Sequence, residues 1–250
     1  MTGRLRLWRY RWPRALAGAL LPCSCALCGE TATAIVCTPC QDRYAAPGGP
    51  RCPCCANPLG AQELPGQRCA ICIADAPAYD ATVAAADYAA PLDALVLRLK
   101  FGAQLPLAPW FARRLADAVP AGPGWPLPDL LCPVPLGPRR LVERGFNQAL
   151  EIARPLSLAL GVPLQPRLLV RGLDTAAQSG VAPSERASNI RGAFEVADAT
   201  LASVAGRHIG VVDDVMTSGH TLNEVAVTLK RAGAARVSNL VFARTPPHSI

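Results

Sequence analysis

The sequence predicts an α/β fold, in which a mostly parallel sheet carries helices on both faces and follows a small cysteine-rich module. Ten of the eleven cysteines lie between Cys23 and Cys72. From about residue 79, short apolar runs alternate with segments of helical periodicity, the pattern of a parallel sheet buried on both faces. The chain has 250 residues, 51% hydrophobic and 17% charged, which is enough for a packed core and excludes global disorder.

Residues 1–21 are predicted to form a basic amphipathic arm, with five arginines and no acidic residue. We interpret the arm as a helix packed on its own domain; contact with a membrane surface or a nucleic-acid backbone is the alternative. Its apolar run, 15–21, is shorter than the roughly 20 residues of a membrane span, and no small-residue cleavage site follows. We therefore expect a cytoplasmic, reduced protein, with peripheral contact at the inner face of the membrane left open.

Residues 22–76 are predicted to form a double zinc ribbon. Four C-x-x-C pairs occur there, with eight and thirteen residues between the pairs of each half. Two such pairs can face each other across one tetrahedral ion, and four thiolates leave no open position for catalysis. The predicted ligand sets of the two structural zinc ions are Cys25, Cys28, Cys37 and Cys40, and Cys52, Cys55, Cys69 and Cys72. A cross-paired arrangement stays open. Cys23 and Cys54 are predicted to be bystanders, and Cys132 a core residue.

Residues 79–245 are predicted to form the α/β domain. We expect strands at 79–88, 129–135, 164–170, 208–213 and 236–243, and helices at 92–101, 105–119, 146–160 and 221–232. Pro155 should kink or interrupt the third helix. The polar stretch 171–189 fits no regular element.

The stretch Val211–Thr221 carries the clearest chemical pattern. Two adjacent carboxylates, Asp213 and Asp214, end an apolar strand, and hydroxyls and a glycine follow: Thr217, Ser218, Gly219 and Thr221. Ligands of open α/β folds bind where strands end, and the backbone N–H groups of a loop entering a helix favour an anion. The carboxylates would repel a phosphate but accept hydrogen bonds from vicinal hydroxyls. Ribose-5-phosphate satisfies both halves of the pattern.

This order of residues resembles the signature of type I phosphoribosyltransferases, which bind 5-phosphoribosyl-1-pyrophosphate (PRPP). The resemblance implies that Asp213 and Asp214 hold the ribose 2′- and 3′-hydroxyls and stabilise positive charge on the ribose ring during catalysis. It assigns the 5′-phosphate to the loop residues Thr217, Ser218, Gly219, His220 and Thr221. His220 is expected to act through its backbone rather than its ring. Mg²⁺ would accompany PRPP, bridging pyrophosphate and ribose oxygens.

The pyrophosphate of PRPP is a polyanion that needs cationic partners. Three arginines follow the predicted strand 129–135 and are expected to supply them: Arg139, Arg140 and Arg144. Arg144 is the foremost candidate, and a solvated surface cluster is the alternative. The stretch 171–189 lies where type I enzymes carry a mobile loop that closes over PRPP, so we expect further polar contacts from Arg171, Gln178, Arg186 and Asn189.

A longer series of residues resembles the competence protein F family. It comprises Cys132-Pro-Val-Pro-Leu136, Arg144-Gly-Phe-Asn-Gln148, Gln178, Arg186, Asn189 and Gly192-Ala-Phe194, after the double zinc ribbon. The resemblance covers about residues 20 to 245 and implies a type I phosphoribosyltransferase-like domain. It also implies a link to uptake or use of single-stranded DNA in natural transformation, with PRPP, single-stranded DNA and the competence or DNA-import machinery as partners.

Three functions stay open at this point. The chain could be a PRPP-binding accessory protein of DNA uptake, an active phosphoribosyltransferase on an unidentified acceptor, or a DNA-independent regulator that senses PRPP. The sequence contains no recognisable element for choosing an acceptor, and aromatic residues make up only 5% of it. That scarcity argues against an extensive stacking platform for nucleic-acid bases.

Overall fold

The computed structural model describes residues 23–45, 48–60, 66–120, 125–172 and 192–246. The predicted arm 1–21 lies outside the described residues, as do three of the predicted site residues, Gln178, Arg186 and Asn189.

The cysteine-rich module consists of short elements. Strands β1 (Cys23–Ser24) and β2 (Thr31–Ala32) pair antiparallel, and two short helices follow, α1 (Thr38–Tyr44) and α2 (Ala70–Ala74). Cys37 and Cys69 occupy the N-cap positions of the two helices. The last cysteine of each half, Cys40 or Cys72, therefore lies three residues further on, on the same side of the first helical turn.

The central sheet has four parallel strands in the order β3-β8-β7-β4. Their bounds are β3 (Ala81–Asp87), β4 (Leu130–Pro133), β7 (His208–Met216) and β8 (Arg236–Arg244). Two further strands, β5 (Leu169–Arg171) and β6 (Phe194–Val196), pair antiparallel with each other and form a separate ladder.

Helices cover both faces of the sheet. They are α3 (Leu92–Phe101), α4 (Leu107–Ala118), α5 (Pro138–Arg144), α6 (Gln148–Leu160) and α7 (His220–Arg231), with a 3₁₀ turn at Asp198–Ser203. Successive strand residues face opposite cores: Val211 packs on the side of α7, and Val212 on the side of α3, α4 and α6. The predicted α/β class, a mostly parallel sheet with helices on both faces behind a cysteine-rich module, is confirmed.

The two cysteine groups of the module join different cores. Cys25 and Cys40 belong to the core beneath α3 and α4, whereas Cys52, Cys55 and Cys72 belong to the core beneath α7. Among the described residues, no helix combines the length and apolarity needed to cross a bilayer.

Several elements differ from the expectation, and β6 and the 3₁₀ turn at Asp198–Ser203 were not anticipated. Strand β7 runs to Met216 rather than ending at residue 213, because β8 pairs with it as far as Arg244. Helix α6 passes through Pro155 without interruption, since its buried face packs against α4 and β7. The stretch 164–170 gives only a bridge at Leu164 and the start of β5. Helix α5 was not anticipated.

Candidate functional site

The acidic pair lies at the carboxyl edge of the sheet, within β7 itself. Strand β4 ends at Pro133, which pairs with Val212, so β7 continues beyond its neighbour on that side. Asp213 and Asp214 occupy this extension and line a cavity of about 700 Å³. The sequence placed the pair at the end of the predicted strand 208–213; the ladder with β8 continues past both residues and fixes their backbone more firmly than a loop would.

Asp214 is the deeper member of the pair, with 2% of its surface exposed. Its Oδ2 lies 2.6 Å from Lys100 Nζ, and its Oδ1 accepts a long hydrogen bond of 3.5 Å from Gln148 Nε2. A buried carboxylate requires such compensation, because transfer of an unpaired charge from water into the interior is very unfavourable.

Asp213 is half-buried and faces the same cavity. Its Oδ1 accepts a hydrogen bond of 2.9 Å from the backbone N–H of Asp214. Burial, and then the neighbouring Asp214 carboxylate, raise the pKa of Asp213 well above its usual value. Two carboxyl groups with unequal surroundings therefore lie side by side, and Lys100 forms its ion pair with Asp214.

The loop after β7 leaves a row of backbone donors unused. No N–H group of residues 218 to 222 donates to an acceptor within the described parts of the chain. Helix α7 has Gly219 as its N-cap, and no side chain caps it. Residues 215 to 222 and Asp213 enclose a hollow of about 40 Å³. Free N–H groups at the start of a twelve-residue helix form an anion site.

Gly219 is required by the shape of this loop. Its φ is +86°, in the left-handed region that favours glycine. A Cβ atom there would lie 2.7 Å from Met216 Cε and 3.2 Å from Tyr79 Oη. The loop is therefore packed tightly on the side away from its exposed residues Thr217, Ser218 and His220.

The predicted arginines divide into two groups. Arg140, Arg144 and Arg171 line the large cavity. Arg139 does not; it is 76% exposed in its side chain and pairs with Glu143 at 2.8 Å. The division follows from α5, because helical residues one apart point in different directions.

Arg144 is held at the cavity wall by two contacts. Its guanidinium lies 5.3 Å from the centre of the Phe101 ring, and its Nη1 donates to Gln148 Oε1. Burial lowers the pKa of Arg144, and the Asp214 carboxylate opposes this change. A cation close to the acidic pair is therefore fixed in place before any ligand arrives.

Sequence reasoning missed several residues of the site. Lys100 pairs with Asp214, Gln148 contacts both Asp214 and Arg144, and other cavity residues are Tyr88, Phe101 and Glu143. For Lys100 the sequence did contain a signal: the chain has only two lysines, Lys100 and Lys230, among many arginines. The pairing itself depends on how α3 packs over the sheet and has no local pattern.

The eight predicted zinc ligands form two separate clusters. The sulfur atoms of each lie within 4.8 Å of one another, and the sets are Cys25, Cys28, Cys37 and Cys40, and Cys52, Cys55, Cys69 and Cys72. The Cys28 and Cys37 sulfurs are 3.8 Å apart, and those of Cys55 and Cys69 are 3.6 Å apart. Zinc–sulfur bonds of about 2.3 Å in a tetrahedron separate sulfurs by about 3.8 Å. Both clusters could therefore bind zinc, and their sulfurs are grouped as in the predicted sets rather than in the cross-paired arrangement.

Backbone donors surround one sulfur in each cluster, and they lower the pKa of that cysteine alone among those whose shift is resolved in its cluster. Cys25 Sγ accepts N–H groups from Leu27 and Cys37, each at 3.4 Å, and Cys52 Sγ accepts the N–H of Cys69 at 3.3 Å. Burial alone would raise the pKa of Cys25, but the backbone donors lower it to about 6. Thiolate, the form that binds zinc, is thereby favoured. Cys23 and Cys54 stand outside both sets, as predicted.

Comparison with known proteins finds a domain family in the C-terminal part of the chain and relatives over most of its length. The phosphoribosyl transferase domain family matches residues 147–248. DNA utilization protein YhgH of Salmonella typhi is 36% identical over 197 residues, 78% of this chain and 84% of that protein. Competence protein F of Haemophilus influenzae is 31% identical over 212 residues, 84% of this chain and 90% of that protein.

A solved glutamine phosphoribosylpyrophosphate amidotransferase from B. subtilis is a distant likeness, with a TM-score of 0.36 and 18% identity. The likeness covers 54% of this chain and 25% of that one. The identity to the curated relatives extends over most of this chain and most of each relative. The chain therefore belongs to the family of competence protein F and DNA utilization protein YhgH.

Proposed function

We propose that this protein binds PRPP at the carboxyl edge of its sheet and acts in the uptake or use of single-stranded DNA. One observation carries the PRPP assignment: the unused N–H groups of residues 218 to 222 directly follow the acidic pair Asp213 and Asp214. One ligand must then present an anion and hydroxyl groups a few ångströms apart. A ribose 5-phosphate unit does so.

Each part of PRPP has a partner in this proposal. The 5′-phosphate lies against the hollow of residues 217 to 221, the ribose hydroxyls donate to Asp213 and Asp214, and the pyrophosphate meets Arg140 and Arg144. Arg139 is a secondary candidate, since its side chain is largely exposed and paired with Glu143. Gln178, Arg186 and Asn189 remain proposed contacts from the stretch before β6.

Mg²⁺ fits the same cavity as an ion bound together with PRPP. Oxygen donors are the ligands it prefers, and Asp213 and Glu143 are carboxylates of the cavity wall. When bound, Mg²⁺ would neutralise part of the pyrophosphate charge. Asp214 is less suited to contact the ion directly, because Lys100 already occupies its Oδ2.

Phosphoribosyl transfer to an unidentified acceptor is a second candidate function, favoured by the match to the phosphoribosyl transferase domain family. The bond between ribose C1 and pyrophosphate would break, the acceptor would bond to C1, and pyrophosphate would leave with its electron pair. Arg140 and Arg144 would stabilise the leaving group, and the acidic pair the positive charge on the ribose ring. An active enzyme of this kind requires no role in DNA handling.

The cysteine clusters are proposed to hold two structural zinc ions. Each offers four sulfur donors at zinc-like spacing, with no further His, Asp or Glu among the described residues grouped with them. The proposed units are the basic arm 1–21, the double zinc ribbon 22–76 and the phosphoribosyltransferase-like domain 79–245. We place the protein in the cytoplasm, since thiolate clusters persist in a reducing compartment; contact of the arm with the membrane surface is a further possibility within this proposal.

Titration calorimetry with Mg²⁺ and PRPP tests the central assignment. The double variant Asp213→Ala, Asp214→Ala should bind PRPP about 100-fold or more weakly, because two charge-assisted contacts to the ribose are lost. Asp117→Ala, which removes an exposed carboxylate far along α4, is the matched control and should bind normally. Unchanged affinity in a folded double variant would reject the ribose assignment.

A further inference from the structure

Arg244 is the last residue of β8. It connects the second cysteine cluster (Cys52, Cys55, Cys69 and Cys72) to the loop 217–221, which we call the phosphate loop because it is the proposed site of the 5′-phosphate. Only 6% of its surface is exposed. Its Nε donates to the carbonyl of Cys55 at 3.0 Å. Its Nη1 donates to the carbonyls of Met216, at 3.1 Å, and Thr217. One guanidinium thus touches a residue of the second cluster and two residues of the loop that follows the acidic pair.

The positive charge of Arg244 has no carboxylate partner among the described residues. All the hydrogen bonds of its guanidinium go to backbone carbonyls, those of Cys55, Met216, Thr217 and Thr245. A buried cation without a counter-charge is unfavourable. Four thiolates with one Zn²⁺ carry a formal charge of −2, and the cluster that contains Cys55 would place this charge beside Arg244. A loaded cluster would therefore supply a negative charge near a guanidinium that has no carboxylate partner among the described residues.

The contacts to Met216 and Thr217 also fix the direction of the loop donors. In a planar trans peptide the C=O and N–H groups point in opposite directions. Because Arg244 holds the Thr217 carbonyl, the N–H of Ser218 in the same peptide points away from Arg244. The Met216 carbonyl, which accepts from both Arg244 and the backbone N–H of Thr245, directs the N–H of Thr217. Arg244 thus orients N–H donors of the phosphate loop from the side opposite to the one that those N–H groups face.

Around Arg244 the cluster and the loop share packing through Tyr79, which lies against Gly219, but much of the space between them is open. A second cavity, of about 500 Å³, has Cys55, Cys72 and Tyr79 on the cluster side and Ser218 and His220 on the loop side. Open space of this size transmits little packing force. The guanidinium spans the gap as a direct hydrogen-bonded connection.

We propose that Arg244 is a positioning residue through which metal in the second cysteine cluster sets the affinity of the loop for the 5′-phosphate. The inference rests on the proposed PRPP function, and it assigns the two clusters different roles. Metal in the cluster of Cys52, Cys55, Cys69 and Cys72 organises the phosphate loop. Metal in the cluster of Cys25, Cys28, Cys37 and Cys40 does not, since that cluster packs into the core on the opposite face of the sheet.

Four single variants of the full chain separate these roles: Arg244→Met, Arg244→Lys, Cys72→Ser and Cys40→Ser. Zinc content and PRPP affinity are measured for each. Wild type should hold about two zinc ions, and each cysteine variant about one. Arg244→Met and Cys72→Ser should weaken PRPP binding by about tenfold or more. Arg244→Lys should have an affinity between those of wild type and Arg244→Met, since lysine keeps the positive charge but lacks the planar guanidinium with its several N–H donors. Cys40→Ser should stay within about twofold of wild type.

The double variant Arg244→Met, Cys72→Ser should bind no more weakly than either single variant, because both changes break one connection. Equal losses in Cys72→Ser and Cys40→Ser, or an Arg244→Met protein that binds within about twofold of wild type, would overturn the inference.

A second measurement covers the case in which Cys72→Ser does not fold. The Cys40→Ser protein, which keeps only the second cluster, is stripped of zinc with a chelator and then reloaded. PRPP affinity should fall and return with the metal, and an unchanged affinity overturns the inference. If wild type itself does not bind PRPP, the proposed function fails; if it binds and Arg244→Met binds equally well, only the coupling fails.

Discussion

Asp214 and Lys100 form the ion pair on which the residue-level chemistry of the site depends. The carboxylate is almost fully buried, and the ammonium group reaches it at 2.6 Å from the end of α3. The same contact orients Asp214 toward the cavity and leaves Asp213 as the more accessible partner. A ligand that presents hydroxyl groups therefore meets two carboxyl groups whose electrostatic surroundings differ before it binds.

Lys100→Met should lower the free energy of unfolding by about 1–3 kcal/mol, since it leaves the Asp214 carboxylate buried without a counter-charge. The double variant Lys100→Met, Asp214→Asn should recover part of this loss, because an amide needs no cation. Urea denaturation of the two variants and of Asp214→Asn provides the measurement. Additive effects in the double variant would contradict the pairing.

Site residues that are adjacent in the sequence could be predicted from it. Site residues that come together only through folding could not. Asp213, Asp214 and the loop hydroxyls form one continuous pattern, so their common location could be predicted. Lys100 and Arg244 lie more than a hundred residues apart along the chain and meet the site from different elements. Only the packing of α3 and the pairing of β8 bring them there.

The turn between β7 and α7 is the element that the proposed function uses most. Its N-cap glycine has a positive φ, and the space that a side chain would occupy is filled by Met216 and Tyr79. Gly206 offers a matched comparison, with a φ of +71° and nothing within 4 Å of a built Cβ. Both glycines have a positive φ, but only at Gly219 would an added Cβ atom meet neighbouring atoms.

Gly206→Ala should lower stability by about 1 kcal/mol through backbone strain alone and leave PRPP affinity unchanged. Gly219→Ala should cost more stability and weaken PRPP binding by about tenfold or more, because the displaced loop no longer aligns its N–H groups. Thermal unfolding and calorimetry of both variants check this. Equal PRPP affinities would show that the loop tolerates the displacement.

Most elements could be predicted from periodicity, and the exceptions have physical causes. The helix at 92–101 and the strand at 236–243 were placed almost to the residue, since their apolar patterns coincide with their buried faces. The extension of β7 was missed because its last residues include two aspartates, and the ladder with β8 outweighs their low strand propensity. Helix α5 has no buried residue, and so it left no apolar pattern.

For the molecule as a whole, the basic arm and the sheet edge are proposed to serve different ligands. The arm holds five arginines and no acidic residue, which suits a phosphate backbone better than a small anion. The proposed PRPP site, in contrast, uses residues between 100 and 244 that the fold brings to one edge. The two activities should therefore separate when the arm is removed.

Deletion of residues 1–21 should weaken binding of a single-stranded oligonucleotide and leave PRPP affinity unchanged. In the intact chain, the logarithm of the association constant should fall with the logarithm of salt concentration, by about 0.7 per phosphate neutralised. Fluorescence anisotropy over a range of salt concentrations measures the slope, which should be shallower after deletion. If the intact and the arm-deleted chains gave the same salt dependence, the arm would not contact the oligonucleotide.

The place of β8 in the sheet has a consequence for synthesis of the protein. It is the most C-terminal described strand, yet it lies between β3 and β7 and carries Arg244 at its end. While a ribosome is still extending the chain, β3 has no neighbour to pair with and the interior of the sheet stays open to water. The sheet therefore cannot be completed until β8 has emerged, and a nascent chain that stops before Arg236 would expose the apolar edges of β3 and β7 to aggregation.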